Sequence, residues 1–326
     1  MKHNYSMDGF AYRLRPIKKT DAQFVVDVRL EDQERNRFIH KISSDVTLQE
    51  KWLDDYFERE GDYYFIIENK LTRSPEGLIS FYDVCDGKAE WGRWVIKKDS
   101  LAAPESVDLL YRIAFEKAGL KELYCRTLAA NESVVAFHNS IGEHTRCVIP
   151  EAFELEGVKY DAVEQFADKD IFYSEIHPKL EKTSEMTFRR NFKMLVGKFE
   201  LHHIGVAVKD IEKDFSVFSL LGYTKESQVF EDETQGIRGL FLTSKNQPRL
   251  ELLMDINESG TVAPYLKNGN KMYHFAYTVS NIEKALDIFV KCRAQVISPL
   301  KESTYFGKRI CFLMLPNMYM IELVEE

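Results

Sequence analysis

The sequence predicts an α/β chain of two domains: a mixed-sheet domain, then a domain built from two halves that each run strand, helix, three strands. Three observations predict this. A length of 326 residues is two ordinary domains at roughly 100–200 residues each. All three tryptophans, Trp52, Trp91 and Trp94, fall in the first third. Beyond about residue 198 a pattern recurs at an offset of 71 residues: His203-Ile-Gly-Val-Ala-Val with His274-Phe-Ala-Tyr-Thr-Val, and Leu250-Glu251-Leu252-Leu253 with Ile321-Glu322-Leu323-Val324. Two unrelated motifs sharing one offset mark an internal duplication.

Composition narrows the function classes. With 44% apolar and 29% charged residues and only 16 Gly and 9 Pro, the chain is folded, neither disordered nor collagenous. The net charge is −8 and basic residues form no long run, so nucleic acid is not expected as a partner. Five scattered cysteines without a Cys-x-x-Cys suggest neither a disulfide framework nor a thiolate zinc site, and fit a reducing, cytoplasmic setting. The Met1-Lys-His-Asn start has no apolar core and no eighteen-residue apolar run follows, so neither signal peptide nor membrane span is expected.

In the first domain Ala11–Ile17 reads as a strand, 21–34 as a helix, Thr47–Arg59 as an amphipathic helix, and Tyr63–Ile67, Gly77–Val84 and Ala89–Ile96 as strands. Pro104 sits at a first helical position, Glu105 and Asp108 follow and Gly119 lies past the end, which predicts a helix over Pro104–Ala118. Leu123–Thr127 is a strand, Asn131 an N-cap, Glu132–Ser140 a helix and Gly142 its C′ residue, and strands near Arg146–Pro150 and Lys159–Gln165 close the domain. The stretch 176–198 carries charge, Pro178 and no clean period, and reads as a linker between domains at 1–175 and 199–326.

In each half of the second domain a His opens the first strand and a Glu follows 48 residues later between Leu or Ile neighbours. If the halves pack about a pseudo-twofold, His203, Glu251, His274 and Glu322 converge. Two imidazoles and two carboxylates suit one divalent transition metal (Mn, Fe, Co, Ni or Zn) better than Ca, with two positions left open. The same residues also read as two core histidines and two rim glutamates, and spacing leaves both readings standing.

Residues 199–326 resemble the vicinal oxygen chelate, or glyoxalase-like, superfamily. The carrying segments are His202-His203-Ile-Gly-Val, Leu250-Glu251-Leu252, Tyr273-His274-Phe-Ala and Arg309-Ile-Cys-Phe-Leu through Ile321-Glu322-Leu323, most similar to methylmalonyl-CoA epimerase. The resemblance implies paired βαβββ modules, metal at the four named positions, and a carboxylate base, for which Glu233 in Glu233-Thr-Gln-Gly236 and Glu322 are the candidates.

Residues 10–170 resemble the GNAT superfamily of acyl-CoA-dependent N-acyltransferases, above all its nucleotide-sugar and ribosomal-protein branch. The resemblance rests on Tyr12-Arg-Leu-Arg-Pro16, Ala89-Glu90-Trp91-Gly92 and Asn131-Glu-Ser-Val-Val-Ala-Phe-His138-Asn-Ser-Ile-Gly142. It implies acetyl-CoA or another acyl-CoA held by the backbone of a splayed strand at Trp94, Val95 and Ile96. The following loop and helix start (Ala102, Ala103, Glu105, Ser106) and Asn131 would complete that cofactor site. The family's glycine-rich loop is replaced by Ser100-Leu-Ala-Ala-Pro104-Glu-Ser106. His138 stands where the family has the tyrosine that protonates the leaving thiolate, and its imidazole is a competent acid at neutral pH. Glu90 would take the amine proton through water, or is a solvated glutamate at a strand end. Arg29, Arg35, Arg37 and Trp52 resemble the acceptor side, and read equally as a solvated helix face.

The expected protein is therefore a cytoplasmic N-acyltransferase, acting on a small amine such as a nucleotide-linked amino sugar and fused to a metal-binding domain that processes acyl-CoA. A homodimer is the expected assembly. The alternative is a metal-dependent epimerase, isomerase or lyase whose first domain only binds or oligomerises.

Overall fold

The computed structural model describes residues 2–32, 34–257, 260–269 and 271–326. The chain divides into two compact units, Met1–Arg190 and Asn191–Glu326. In the first the elements are β1 (Met7–Asp8), β2 (Tyr12–Pro16), α1 (Ala22–Leu30), α2 (Val46–Glu58), β3 (Tyr63–Asn69), β4 (Pro75–Cys85), β5 (Lys88–Ile96), α3 (Ala103–Arg112), β6 (Glu122–Leu128), α4 (Glu132–Ile141), β7 (His144–Leu155) and β8 (Val158–Asp168). They form one sheet of order β1-β2-β3-β4-β5-β6-β8-β7. Its one parallel pair is β5 with β6, joined by α3 as a parallel pair requires.

Alternation along the strands builds two cores. Phe65 and Ile67 of β3 point to the face that packs α3, with Phe81, Trp91, Leu110 and Tyr111. Tyr64 and Ile66 point to the other, under α1 and α2, with Val25, Leu53 and Tyr56. Both faces are covered, which is why these strands read as near-continuous apolar runs.

Three local differences from the sequence expectation have physical causes. The helix expected over Pro104–Ala118 is α-helical to Arg112 and then π-helical over Ile113–Lys117. Asn131 makes no side-chain cap on α4, and instead accepts the Ser133 hydroxyl at 3.1 Å. The stretch 176–198 taken for a linker is helical, α6 (His177–Val196), and it continues from α5 (Lys169–Ile171) and a π turn Phe172–Ile176. The π turn ends two residues before Pro178, which has no N–H to return to the preceding turn. Gly142 does take the left-handed conformation, φ 110°, and its N–H closes onto the carbonyls of His138 and Asn139.

The second unit runs β9 (Phe199–Ala207), α7 (Ile211–Leu220), β10 (Thr224–Lys225), β11 (Phe230–Asp232), β12 (Ile237–Thr243), β13 (Leu250–Asp255), α8 (Ala263–Lys267), β14 (Met272–Val279), α9 (Ile282–Lys291), β15 (Gln295–Glu302), β16 (Arg309–Met314) and β17 (Met320–Glu325). The sheet order is β10-β12-β13-β9-β14-β17-β16-β15, with β11 on β12. The duplication is visible in it. β9 and β14 meet antiparallel at the centre, while β13 lies parallel to β9 as β17 does to β14. Asp210 caps α7 through the Lys213 N–H at 3.0 Å, and Asn281 caps α9 through the Lys284 N–H at 2.8 Å. Among the described residues no helix is long and apolar enough to cross a membrane.

Candidate active site and candidate metal centre

In the first unit the ladder between β5 and β6 lasts three residue pairs and ends at Glu90 with Tyr124. Beyond that point β5 continues to Ile96 along β4, and β6 continues to Leu128 along β8. The strands therefore splay, and the β5 backbone from Trp91 onward has no strand partner on its β6 side. A left-handed residue in the middle of this edge, Arg93 (φ 47°), marks a bulge where the pairing with β4 slips. Peptide groups left unpaired at a sheet opening serve as ligands for an extended substrate.

His138 of α4 lies beside the splay. Its ring meets Trp91 edge-on at 5.0 Å and Trp94 at 6.4 Å, and it is buried. Its Nδ1 lies 2.9 Å from Glu143 Oε2. The Cys125 thiol is 3.8 Å from both ring nitrogens, so it lies on the axis of neither and is not paired with the ring as a nucleophile with its base. Burial also pushes that thiol well above its ordinary range.

Glu90 occupies the opposite face, as alternation from Trp91 requires. It accepts from Tyr82 Oη at 3.2 Å and pairs with Arg126 at 3.2 Å, and burial pushes its carboxyl upward. On the same face the Arg93 guanidinium caps the Tyr82 ring at 4.3 Å and pairs with Asp62 at 2.7 Å. Gly92 keeps this arrangement open, since a Cβ there would stand 3.0 Å from the Tyr82 hydroxyl. Trp52 stacks on Tyr56 and lies within 5.7 Å of Arg93. Of the arginines singled out with it, Arg29 reaches the buried Tyr64, which packs against Trp52 and under Arg93, and also donates to the His40 carbonyl; Arg37 instead pairs with Glu34, and Arg35 is exposed.

Of the expected cofactor residues, Trp94 and Ser106 are brought together, the indole N–H donating to the hydroxyl at 3.2 Å. Val95 and Ile96 lie on the free edge of β5. Ala102 and Ala103 stand at the start of α3, where the Ala102 N–H donates to Ser100 Oγ at 3.3 Å, Pro104 has no N–H and the Ser106 N–H returns to the Ala102 carbonyl at 2.9 Å, so the helix start offers an anion fewer N–H groups than a helix N-terminus usually does. Glu105 departs from the expectation. Its carboxylate is buried and accepts the Ala11 N–H at 3.2 Å, so it is turned away from a ligand at the helix start. Asn131 is partly exposed ahead of α4.

In the second unit β9, β13, β14 and β17 deliver His203, Glu251, His274 and Glu322 to one point. Their donor atoms lie within 4.8 Å of one another, and all four side chains are buried. His203 Nε2 is 2.9 Å from Glu251 Oε2, 3.0 Å from His274 Nε2 and 3.4 Å from Glu322 Oε2, and His274 Nε2 is 3.3 Å from Glu322 Oε2. Bonds of about 2.1 Å at right angles set neighbouring donors about 3 Å apart, so the set fits a divalent ion. Burial holds His203 down to about 3 and pushes Glu251 up to about 7. The imidazole is thus neutral, the form that binds a metal. His203 Nδ1 is contacted by His202 Nδ1 at 2.8 Å, and His202 in turn by Arg249, an outer support of the sort that orients a ligand ring. His274 Nδ1 is buried without a hydrogen-bond partner among the described residues. Gly205, opposite His274 in the ladder, makes room for the ring, because a Cβ there would meet Cε1 at 2.3 Å.

The family model described as acetyltransferase (GNAT) domain matches residues 12–144, and that of the glyoxalase/bleomycin resistance protein/dioxygenase superfamily matches residues 202–312. The chain joins a GNAT acetyltransferase domain to a glyoxalase-superfamily domain. Solved structures similar to its first part include FdhC, a nucleotide-linked sugar GNAT, at 24% identity over 55% of this chain and 98% of that one, TM-score 0.47. A spermidine N-acetyltransferase, SpeG from Vibrio cholerae, is 14% identical over 50% and 97%, TM-score 0.45. A GCN5-related N-acetyltransferase from Brucella melitensis is 16% identical over 56% and 85%, TM-score 0.49. Among curated protein sequences none matches.

In the glyoxalase domain Glu233, expected as a base, is exposed, whereas its neighbour Asp232 is buried and lines the cavity over Glu251, His274 and Glu322. β11 ends at Asp232 and Glu233 begins the turn, closed by the Gln235 and Gly236 N–H groups on the Asp232 carbonyl, so the last strand residue enters the cavity and the first turn residue faces out. Asp232 there accepts from Thr234, Gln235 and Ser303. Phe241 and Phe312, one under each histidine, were missed, although they obey the same offset of 71 residues. In the acetyltransferase domain Arg93 and Glu143 were missed. The left-handed bulge left no pattern, and Glu143 follows its helix as an ordinary surface glutamate would.

Proposed function

We propose that the acetyltransferase domain transfers an acyl group, acetyl first of all, from coenzyme A to the primary amine of a small acceptor, with a nucleotide-linked amino sugar favoured. The observation that carries this is the end of the β5–β6 ladder at Glu90, with the two faces of the opening carrying different chemistry. His138 stands on one face and Glu90 on the other. The free edge of Trp94, Val95 and Ile96 would bind the pantetheine chain, and a β5 N–H would hold the thioester oxygen as it gains charge. The amine lone pair forms the C–N bond while the C–S bond breaks. One ammonium proton passes through water to Glu90, and His138 gives its Nε2 proton to the departing thiolate, so amide and thiol are the products. Attack is direct, since Cys125 lies off the axis of its histidine. Trp52, Tyr82 and Arg93 on the Glu90 face supply flat rings and a cation that suit a base, a sugar and their phosphates.

We further propose that His203, Glu251, His274 and Glu322 hold one divalent transition metal, Co, Mn, Ni, Zn or Fe. When bound, such an ion polarises two vicinal oxygens of a substrate and stabilises an enolate. Glu322 would receive the proton removed from the adjacent carbon, and the aromatic walls of the cavity exclude water.

Calorimetry of the full chain with acetyl-CoA, followed by thiol release with nucleotide-linked 4-amino sugars, spermidine and peptides, tests the first reading. Binding and amine-dependent release are expected, and absence of coenzyme A binding overturns it. Metal analysis of protein purified without chelator tests the second, with one ion per chain expected and a metal-free protein overturning it.

A further inference from the structure

Glu143 follows the glycine that ends α4, and its N–H returns to the His138 carbonyl at 3.1 Å. That turn points its carboxylate back into the protein. There it is buried, and three donors surround it. His138 Nδ1 lies 2.9 Å from Oε2, the Tyr111 hydroxyl donates to Oε1 at 2.7 Å, and the Cys125 thiol reaches Oε2 at 3.5 Å. Tyr111, Cys125 and His138 are themselves buried. A carboxylate ringed by donors is the ionised form, and a buried anion persists only where a cation balances it. His138 is the one group in contact with it that can become a cation. Burial pushes the Tyr111 phenol and the Cys125 thiol well above their ordinary ranges, so both stay protonated and donating. The remaining surroundings of the imidazole, Trp91, Trp94 and Phe137, carry no charge. Glu90 acts on Cys125 from the other face.

We propose that Glu143 is a positioning residue for acyl transfer: it holds His138 by Nδ1, balances the imidazolium, and so presents the Nε2 proton to the leaving thiolate, with Tyr111 tuning the pair. The inference rests on the acyl-transfer reading above. It accounts for a histidine at the family's tyrosine position, since an imidazole has two ring nitrogens and a partner fixed on Nδ1 decides that Nε2 is the one presented. In the step itself Nε2–H passes to sulfur, the neutral ring keeps Nδ1–H on Glu143, and solvent restores the proton before the next turnover.

The test is the pH profile of the full chain with acetyl-CoA and a nucleotide-linked 4-amino sugar as probe amine. In Glu143→Gln the alkaline limb of kcat should move down by about one pH unit and kcat should fall about tenfold or more, with KM for acetyl-CoA within about twofold. In a His138→Tyr background the same substitution should change kcat less than about twofold. An unmoved limb, or an equal loss in both backgrounds, overturns the proposal. Should Glu143→Gln not fold, Tyr111→Phe keeps the ring and removes one donor from the carboxylate. Its effect on kcat should appear with His138 present and fall below about twofold in the His138→Tyr background, and an equal effect in both backgrounds overturns the proposal. If His138→Ala itself retains full activity, the acid role of His138 in the transfer reading fails. If His138→Ala is inactive while the Glu143→Gln limb stays in place, only the pairing fails.

Discussion

His203 and His274, 71 residues apart in the chain, face each other Nε2 to Nε2 at 3.0 Å. Each ring stands on a phenylalanine of its own half: Phe241 at 5.2 Å and 86°, Phe312 at 5.3 Å and 84°. The duplication thus repeats the support of the histidine as well as the histidine. Phe241→Leu and Phe312→Leu should weaken metal binding to a similar extent, each by roughly tenfold, as loss of an outer support does. Competition against a chelator measures this. Loss in one variant alone would show that the halves do not share the site.

Gly205 gives a sharper version. Gly205→Ala places a methyl group where the His274 ring lies, so the ring must leave and bound metal should fall well below one ion per chain while the circular dichroism spectrum is kept. Full metal occupancy in this variant would contradict the arrangement.

Glu105 predicts a pH dependence of stability in the acetyltransferase domain. Burial pushes its carboxyl from 4.5 up to about 7, so between these values the folded chain keeps a proton that the unfolded chain has released. Stability from this group is complete below the unfolded value and is lost as pH rises through about 7. Glu105→Gln removes that dependence. Relative to wild type it should gain about 3 kcal/mol between pH 5 and 8, at about 1.4 kcal/mol per pH unit. Urea unfolding read by tryptophan fluorescence follows this domain, because all three tryptophans lie in it. A difference that is constant with pH would refute the assignment.

Much of the fold was legible because local chemistry and burial agree. Pro104 opens α3 and Gly142 closes α4 in the left-handed region, as their sequence positions predict. Helix α6 was hidden by one residue. Ile176, Leu180, Ser184 and Phe188 recur every four residues on its apolar side, but Ser184 breaks the stripe while being buried and satisfied by the Leu180 carbonyl at 2.7 Å. The four convergent residues of the glyoxalase domain were legible through the repeat, since equal spacing from a shared ancestor module puts equal side chains at equal places. Glu143 and Arg93 were not, since each acts through a turn or bulge whose direction no residue pattern records. Glu233 stood one residue from the carboxylate that enters the cavity, because β11 ends at Asp232 and no residue pattern records where the strand gives way to the turn.

The central claim is that the opening between β5 and β6 transfers an acetyl group with His138 as the acid. Thiol release from acetyl-CoA in the presence of a nucleotide-linked 4-amino sugar, compared between wild type and His138→Ala, tests it most directly. The account predicts amine-dependent release in wild type and a loss of about 100-fold or more in the variant. Release that does not depend on the amine, or a variant as active as wild type, would contradict it.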